Sequence, residues 1–464
     1  MTRKISAPAL LTLAASLAQP AMAKPASPPA IPDPDGKGVA YRLVADLTTE
    51  VGQRLAATPR EAAARDWAVA RLKALGLTNV HIEPYTMPGW ERGEERAILT
   101  TPAPQKLAVA ALGNSGATPP AGLTAELAYF DSLAALKAAP AGMLAGKVAF
   151  IDNAMKANQD GSGYGLYGNA RRQGPALAAS KGAVAVLIRS IGTDHNRDPH
   201  TGVTNWPDGT APIAAGAVSA PDADLIARIA RGTQGMYRPM TVSLTMTPRF
   251  IGEQPSGNVL AEVPGRNPKL PPILVACHLD SWDLATGAID DGAGCAIITA
   301  AALQATAKGP LLRTVRLLWA GAEERGGFGG AAYAKAHAGE PHALAMESDF
   351  GADRVWKVVF NTAPANKPMA DRIAAALAPM GIVSAHGETG GGTDIEGIVA
   401  AQKLPVIDLA QDGTRYFDLH HTPDDTLDKI DPTQLQQNVD AWAALLAVAG
   451  EEAGDIAAVP PAKE

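Results

Sequence analysis

Cysteine is almost missing from this chain: its 464 residues hold two, Cys277 and Cys295. A protein of this size builds its own cores and needs no disulfide framework. Both cysteines lie in apolar stretches, where they read as two small buried hydrophobes rather than as a bonded pair. Positive charge is not in excess either. With 40 Lys and Arg against 47 Asp and Glu, the net charge is −7, which argues against a nucleic-acid partner. Long apolar runs are absent beyond the N-terminus, and a membrane-spanning helix needs about 20 apolar residues, so none is expected there. What remains, 47% hydrophobic and 19% charged residues, is the balance of a globular protein, and the length makes two domains the default.

The N-terminus reads as an address. Arg3 and Lys4 form a basic start, residues 7–17 a short apolar core, and Ala21-Met22-Ala23 the small-x-small pattern of a cleavage site. A signal peptide over residues 1–23 is expected, with export to a periplasm or beyond. Residues 24–38, rich in Pro, Ala and Asp, read as a flexible leader, and residues 456–464 as a flexible tail.

Residues 39–47 have a helical pattern. Thr58-Pro59-Arg60-Glu61 is a helix start, with Thr58 as N-cap and Glu61 reaching back in a capping box, for a helix that stops at Gly76. Residues 80–85 read as a strand, so 39–106 form the N-terminal part of an α/β layer. From 107 to 245 the character changes. Strand-like runs at 126–130, 147–152 and 184–189 alternate with Gly- and Pro-rich connections, and clear helices are expected only at 174–181 and 222–231. This is an inserted β-rich domain. Its polar stretch 194–211, with Pro199, His200, Trp206 and Pro207, is long for a loop, and such loops are functional or disordered. From 246 to 455, strands at 273–277, 314–319, 344–348, 355–360 and 405–409 alternate with helices at 292–305, 329–338, 367–378 and 432–449. The pattern predicts an α/β fold with a mixed, mostly parallel sheet between helices, and ligands at the carboxyl ends of its strands.

Charged residues gather at those ends. His278, Asp280, Asp283 and the pair Asp290-Asp291 follow the first of these strands, Glu323-Glu324 the second and Asp349 the third, and His420-His421 follow the last. Each has an ordinary reading alone: a surface histidine, a solvated glutamate, an aspartate capping a helix. Their convergence at four strand ends points to a hydrolytic metal site, because such sites need nitrogen and carboxylate ligands around an open position. Asp290 can bridge two ions about 3.5–4 Å apart, while Asp291 caps the next helix. Asp280 is placed to hydrogen-bond the ring nitrogen of His278 that is off the metal. Of Glu323 and Glu324, one can ligate while the other acts as general base. Glu347 reads as a supporting residue.

Four segments, HLDSWDLATGAIDDGAG, LLWAGAEERGGFGG, AMESDFG and HHTPDDTLDKIDP, together resemble the co-catalytic zinc exopeptidases of the aminopeptidase and glutamate carboxypeptidase family. The resemblance covers nearly all of the chain after the leader. It extends to the insert, where RRQGPALAASKGAVAVLIRS and PHTGV are similar to a protease-associated domain. It implies two zinc ions per chain, with His278 and Asp349 on one, Glu324 and His421 on the other, and Asp290 shared. It also implies Glu323 as general base, Asp280 as the supporting aspartate, a homodimer, and hydrolysis of dipeptides or short peptides by water activated between the ions. His420 is left without a role. Arg325 stands where related sequences more often have an uncharged residue.

Substrate contacts are less determined. Tyr416 is either an oxyanion donor or a buried aromatic. Asn169, Arg171 and Arg172 either meet a substrate carboxylate or lie on the surface. His200 is a candidate for contact with substrate or a dimer partner. Asp394 either supports the metals or caps a helix. The ligand set also suits cobalt or manganese, and which peptide terminus is held stays open. Two further readings remain: a receptor-like protein that has lost its metals, which predicts missing ligands, and a glutaminyl cyclase or amide deacylase on the same fold, which predicts an incomplete two-metal set.

Overall fold

The computed structural model describes residues 38–232 and 239–459. The expected signal peptide, the leader up to residue 37 and the tail from residue 460 lie outside the described residues. Two eight-stranded sheets organise the rest. The first runs in the order Thr78–Glu91, Arg249–Val263, Val315–Ala320, Ile273–His278, Leu344–Glu347, Val406–Gln411, Val355–Asn361, Val383–His386. Its centre is parallel, with Ile273–His278 between Val315–Ala320 and Leu344–Glu347 and the latter beside Val406–Gln411. The flanking pairs are mainly antiparallel.

The parallel centre follows from composition. Ile273–His278 and Leu344–Glu347 are buried along their whole length, as strands covered on both faces must be. Ile273, Val275 and Cys277 pack into the core that holds the helices Val39–Glu50, Ala293–Thr306 and Pro432–Ala449. The intervening Leu274 and Ala276 pack on the opposite face, with Tyr333, Ile395 and Ile398 of the helices Phe328–Ala336 and Thr393–Gln402. The buried positions of Ala293–Thr306 are mostly Ala and Gly.

The second sheet has the order Gln105–Leu107, Glu95–Thr101, Thr241–Met246, Leu123–Phe130, Val148–Ile151, Ala185–Arg189, Ala214–Val218, Val109–Ala111. It starts earlier than residue 107. The long strands Thr78–Glu91 and Arg249–Val263 form a ribbon paired as far as Glu91 and Arg249. The chain passes straight from its end into the pairing of Glu95–Thr101 with Thr241–Met246. Residues 92–248 thus lie between the ends of the two ribbon strands.

Three local expectations change. Cys277, at the end of its strand, and Cys295, in the first turn of the following helix, have Cα atoms 5.1 Å apart and form a disulfide, not two separate small hydrophobes. The strand-loop-helix return that joins them is a tertiary feature. Thr58 does accept from the Glu61 amide, but the Glu61 carboxylate turns inward to Arg65 and to Ser256, 3.2 Å away, so the box is half made. The start of the tail is docked: Ile456 is buried, and the Ala457 amide donates to Asn366 Oδ1 at 2.9 Å. No described helix is long and apolar enough to cross a membrane.

Candidate metal centre

The charged clusters meet at the carboxyl ends of the first sheet's central strands. His278 ends one of them, and the chain then loops through residues 279–287 before returning to Asp290. Buried Arg54 fixes that loop by donating to the carbonyls of Leu279, Thr286 (2.6 Å) and Gly287 (2.9 Å). Asp425 fixes its far end, accepting from the amides of Ile289 (2.6 Å) and Asp290 (3.3 Å). Asp291 accepts from the amides of His278 (3.1 Å) and Gly294 (3.0 Å), tying the strand end to the helix start as expected of a cap.

Within this frame Asp290 stands between two histidines. Its Oδ1 lies 3.0 Å from His278 Nε2, and its Oδ2 lies 3.3 Å from His421 Nε2. Asp349 Oδ1 is 3.5 Å from His278 Nε2, and Glu324 Oε2 is 2.8 Å from His421 Nε2. The donors thus fall into two sets that share Asp290: His278 with Asp349, and His421 with Glu324. His420 stacks on His421 with ring centroids 3.5 Å apart, its Nε2 3.6 Å from Asp290 Oδ2. Asp280 orients His278, though by its main-chain oxygen, 3.0 Å from Nδ1. Its carboxylate lies at 3.6 Å and accepts from the Glu323 amide at 3.1 Å. One residue therefore ties a metal-facing histidine to the glutamate pair.

The charges ask for cations. Burial foremost, with Asp349 and Glu324 nearby and only partly offset by His278, pushes the Glu323 carboxyl up to about 8. Burial, then Asp290, raises Glu324 well above the usual carboxylate range. Burial works against a charged His278, but Asp349, Asp280 and Asp290 around it raise its pKa well above that of a free imidazole. His421 is shifted the other way by burial, despite Asp290, so it is held as the neutral ring that a metal needs. Asp290 Oδ2, Glu324 Oε1 and Asp349 Oδ1 are buried without a hydrogen-bond partner. Orphaned carboxylate oxygens beside imidazole nitrogens fit divalent cations. The sulfurs of Cys277 and Cys295 are bonded to each other and offer no thiolate.

A cleft of about 430 Å³ opens over these residues, walled on one side by the insert. Glu323, Arg171, Arg172 and Tyr416 line it. The Tyr416 ring packs on Phe350 at 4.5 Å, and its hydroxyl makes no hydrogen bond among the described residues. Two expected substrate contacts, His200 and Asn169, lie elsewhere, and the Asp394 carboxylate does not cap its helix. His200 is buried within the insert, its Nε2 2.7 Å from Asp194 Oδ1. Asn169 accepts from Gln173 at 3.2 Å, off the cleft. Asp394 is fully buried at a helix start, where its amide donates to Glu347 Oε2 at 2.9 Å. Asp283 pairs with Arg92, and Arg325 reaches across to Asn114 of the insert.

A further support had no sequence signal. The Thr201 amide donates to the His421 carbonyl at 3.0 Å, and His421 Nδ1 donates to the Thr201 carbonyl at 3.2 Å. Arg171 Nη1 donates to that same carbonyl at 3.2 Å. His421 sits in the left-handed region at φ 62°, unusual for a non-glycine residue, and this two-way clamp holds it there. The acceptor is a main-chain atom, so its residue type says nothing. Arg54 and Asp425 were equally silent, each acting on backbone groups of a loop distant in sequence.

Parallel strand ends that assemble two histidines, a shared aspartate and further carboxylates beside a glutamate define a metal-dependent hydrolase. The chain belongs to peptidase family M28, whose model matches residues 258–446. It is 34% identical to carboxypeptidase Q of Homo sapiens over 411 residues, covering 87% of this chain and 84% of that one, and 33% identical to the Bos taurus protein over 410 residues. The crystal structure of a peptidase M28 precursor from Shewanella amazonensis superposes with a TM-score of 0.88 at 42% identity, covering 92% of this chain and 97% of the other. A zinc aminopeptidase from Bacillus subtilis shares the fold, with a TM-score of 0.60 at 19% identity over 89% of this chain and 94% of that one.

Proposed function

We propose that the protein is an exported di-zinc exopeptidase acting on dipeptides or short peptides. The observation that carries this reading is the Asp290 carboxylate, which turns one oxygen to each of two histidine-centred donor sets. Two zinc ions held by His278, Asp290 and Asp349 and by Asp290, Glu324 and His421 supply, when bound, a lowered water pKa and a polarised carbonyl. The chain's own residues do the rest. Glu323, held through its amide by Asp280, faces the cleft, takes the proton of the attacking water and returns it to the leaving amine. Asp280 keeps the His278 Nδ1 hydrogen on its own carbonyl and so leaves Nε2 for the metal. Tyr416, with its free hydroxyl on the cleft wall, is the donor to the developing oxyanion.

Both ends of a short free peptide find complementary charge. Arg171 and Arg172 stand on the insert side of the cleft. On the other side an adjoining cavity of about 270 Å³ shares Asp349 and Thr393 with the cleft and is lined by Glu347, Asp408 and Asp160. A free carboxylate suits the first wall and a free ammonium the second. The insert, as a protease-associated domain, closes the cleft to long chains. The Cys277–Cys295 disulfide fits an oxidising compartment, as does the N-terminal signal pattern. The complete donor set argues against a receptor-like protein without metals and against a cyclase.

The test pairs two measurements on protein purified without chelator. Metal analysis should give about two ions per chain, and free dipeptides should be cleaved faster than their N-acetylated or C-amidated forms. No bound metal after zinc is supplied would end the enzyme reading, and equal rates on blocked peptides would end the two-ended one.

A further inference from the structure

The insert holds a cavity that the chemistry above does not use. It measures about 760 Å³ and lies between the helix Gly174–Ser180 and the loop following residue 194. Its walls are largely apolar, formed by Ala176, Leu177, Ala183, Trp206, Pro207 and Ile213. The loop is the long polar stretch whose length already set it apart, and it is tied down. Trp206 Nε1 donates to the Asn114 carbonyl at 2.8 Å, and the Asn205 amide donates to the Arg172 carbonyl at 3.0 Å.

Arg172 and Asn205 line both this cavity and the metal cleft, so the two spaces adjoin across them. Arg172 uses Nη2 on the Gly165 carbonyl at 2.6 Å, while its Nε and Nη1 make no hydrogen bond among the described residues. Asn205 is exposed, and its side chain is equally free. The junction thus offers unused cationic and amide donors, and the apolar walls begin beyond it.

We propose that this cavity receives the side chain of the substrate residue on the carboxyl side of the scissile bond, and that it selects large apolar side chains there. The proposal rests on the peptidase reading and gives its cleft a direction. The carboxylate of that residue meets Arg172 at the junction, as a guanidinium with free donors favours. The side chain then leaves water for the apolar walls, the usual driving force in a pocket of this kind. The amino-terminal residue lies on the far side of the metals, toward Glu347 and Asp408.

The experiment uses the zinc-loaded full protein and the dipeptides Ala-Leu, Ala-Phe, Ala-Gly and Ala-Asp. The expected kcat/KM for Ala-Leu and Ala-Phe exceeds that for Ala-Gly and Ala-Asp by about tenfold or more, the scale on which apolar pockets discriminate. Free leucine should compete with substrate more tightly than free glycine. Ala176→Phe, which fills the cavity from the helix, should collapse the leucine-to-glycine ratio. Cleavage of all four at similar kcat/KM overturns the proposal while leaving the peptidase reading intact. An unchanged ratio in an Ala176→Phe protein with a native circular dichroism spectrum overturns it too. Failure to cleave any of them with metal bound overturns the peptidase reading and this one with it.

Discussion

The two sheets are built alike at their centres and put to different uses at their ends. Each has buried parallel strands in the middle, Ile273–His278 with Leu344–Glu347 in one and Val148–Ile151 with Ala185–Arg189 in the other. In the first sheet the strand ends carry His278, Glu323, Glu324 and Asp349. In the second, Asp152 follows one strand and meets Arg189 at the end of its neighbour in a closed ion pair, with a further link from Arg189 to Asp224 at 2.6 Å. A parallel centre makes a crevice in both. Only the sheet whose carboxylates outnumber the cations around them keeps charge unsatisfied for a metal. The region around the second sheet lends the first the Thr201 carbonyl from a loop, Arg171 from the short helix Asn169–Arg172, and a wall of the cleft.

The sharpest way to break this division of labour is Glu323→Gln. It should leave metal content and KM nearly unchanged while kcat falls by about 10²- to 10⁴-fold, the usual contribution of general-base catalysis. Metal analysis beside steady-state kinetics reads both, and an active variant would remove Glu323 from the mechanism. Next comes Arg171→Ala in the insert. Losing the group that holds the Thr201 carbonyl should weaken metal binding on the His421 side about 10- to 100-fold, as supporting-residue mutations do. Competition with a chelator measures it, and unchanged affinity would mean that the second sheet merely covers the first.

A third test separates the sheets by pH. Burial raises Glu323 to about 8, and Glu61 and Asp425 each to about 7. Their folded-state pKa values lie above the unfolded ones, so the native metal-free protein binds these protons where the unfolded chain does not. Their contribution to stability is full below about pH 4 and is lost as pH rises toward 8. Metal-free protein should therefore lose Tm between pH 5 and pH 8, while metal-loaded protein, whose ligands must be deprotonated, should gain it. Parallel thermal scans decide. The smallest effect is expected for Arg325→Met. Among the described residues Arg325 has one hydrogen-bond partner, Asn114, and lies over the Trp90 ring 5.8 Å from its centroid, and burial lowers its pKa to about 10. Exchanging a poorly satisfied buried cation for an apolar side chain should shift Tm by only a few degrees and leave metal content unchanged.

Much of the first sheet was legible in the sequence because its signals are local. Apolar runs marked the strands, Thr58 and the Asp431-Pro432 pair marked helix starts, and donors followed strands directly. The pairing of the donors into two sets came only from the family resemblance, since Asp290 and His421 lie well past the strand ends at His278 and Gln411. What stayed hidden was non-local. Glu95–Thr101 joins the body of the second sheet through its pairing with Thr241–Met246, some 140 residues away. The disulfide depends on how a strand, a loop and a helix return on one another. His200 looked free in a loop but finds Asp194 six residues earlier. Thr201 acts through its backbone.

The ribbon that joins the two sheets has a consequence for how the chain could be rewired. Its two strands are still paired at Glu91 and Arg249, so the insert leaves and rejoins the first sheet at points about one strand spacing, roughly 5 Å, apart. Topologically the insert is a detour from a hairpin: excising 92–248 and closing the gap with a two-residue turn would leave the strand order of the first sheet unaltered. Such a shortened chain would keep His278 and Asp349 yet lack the clamp on His421, so a detour that adds nothing to the strand order of the first sheet still supports half of the metal centre.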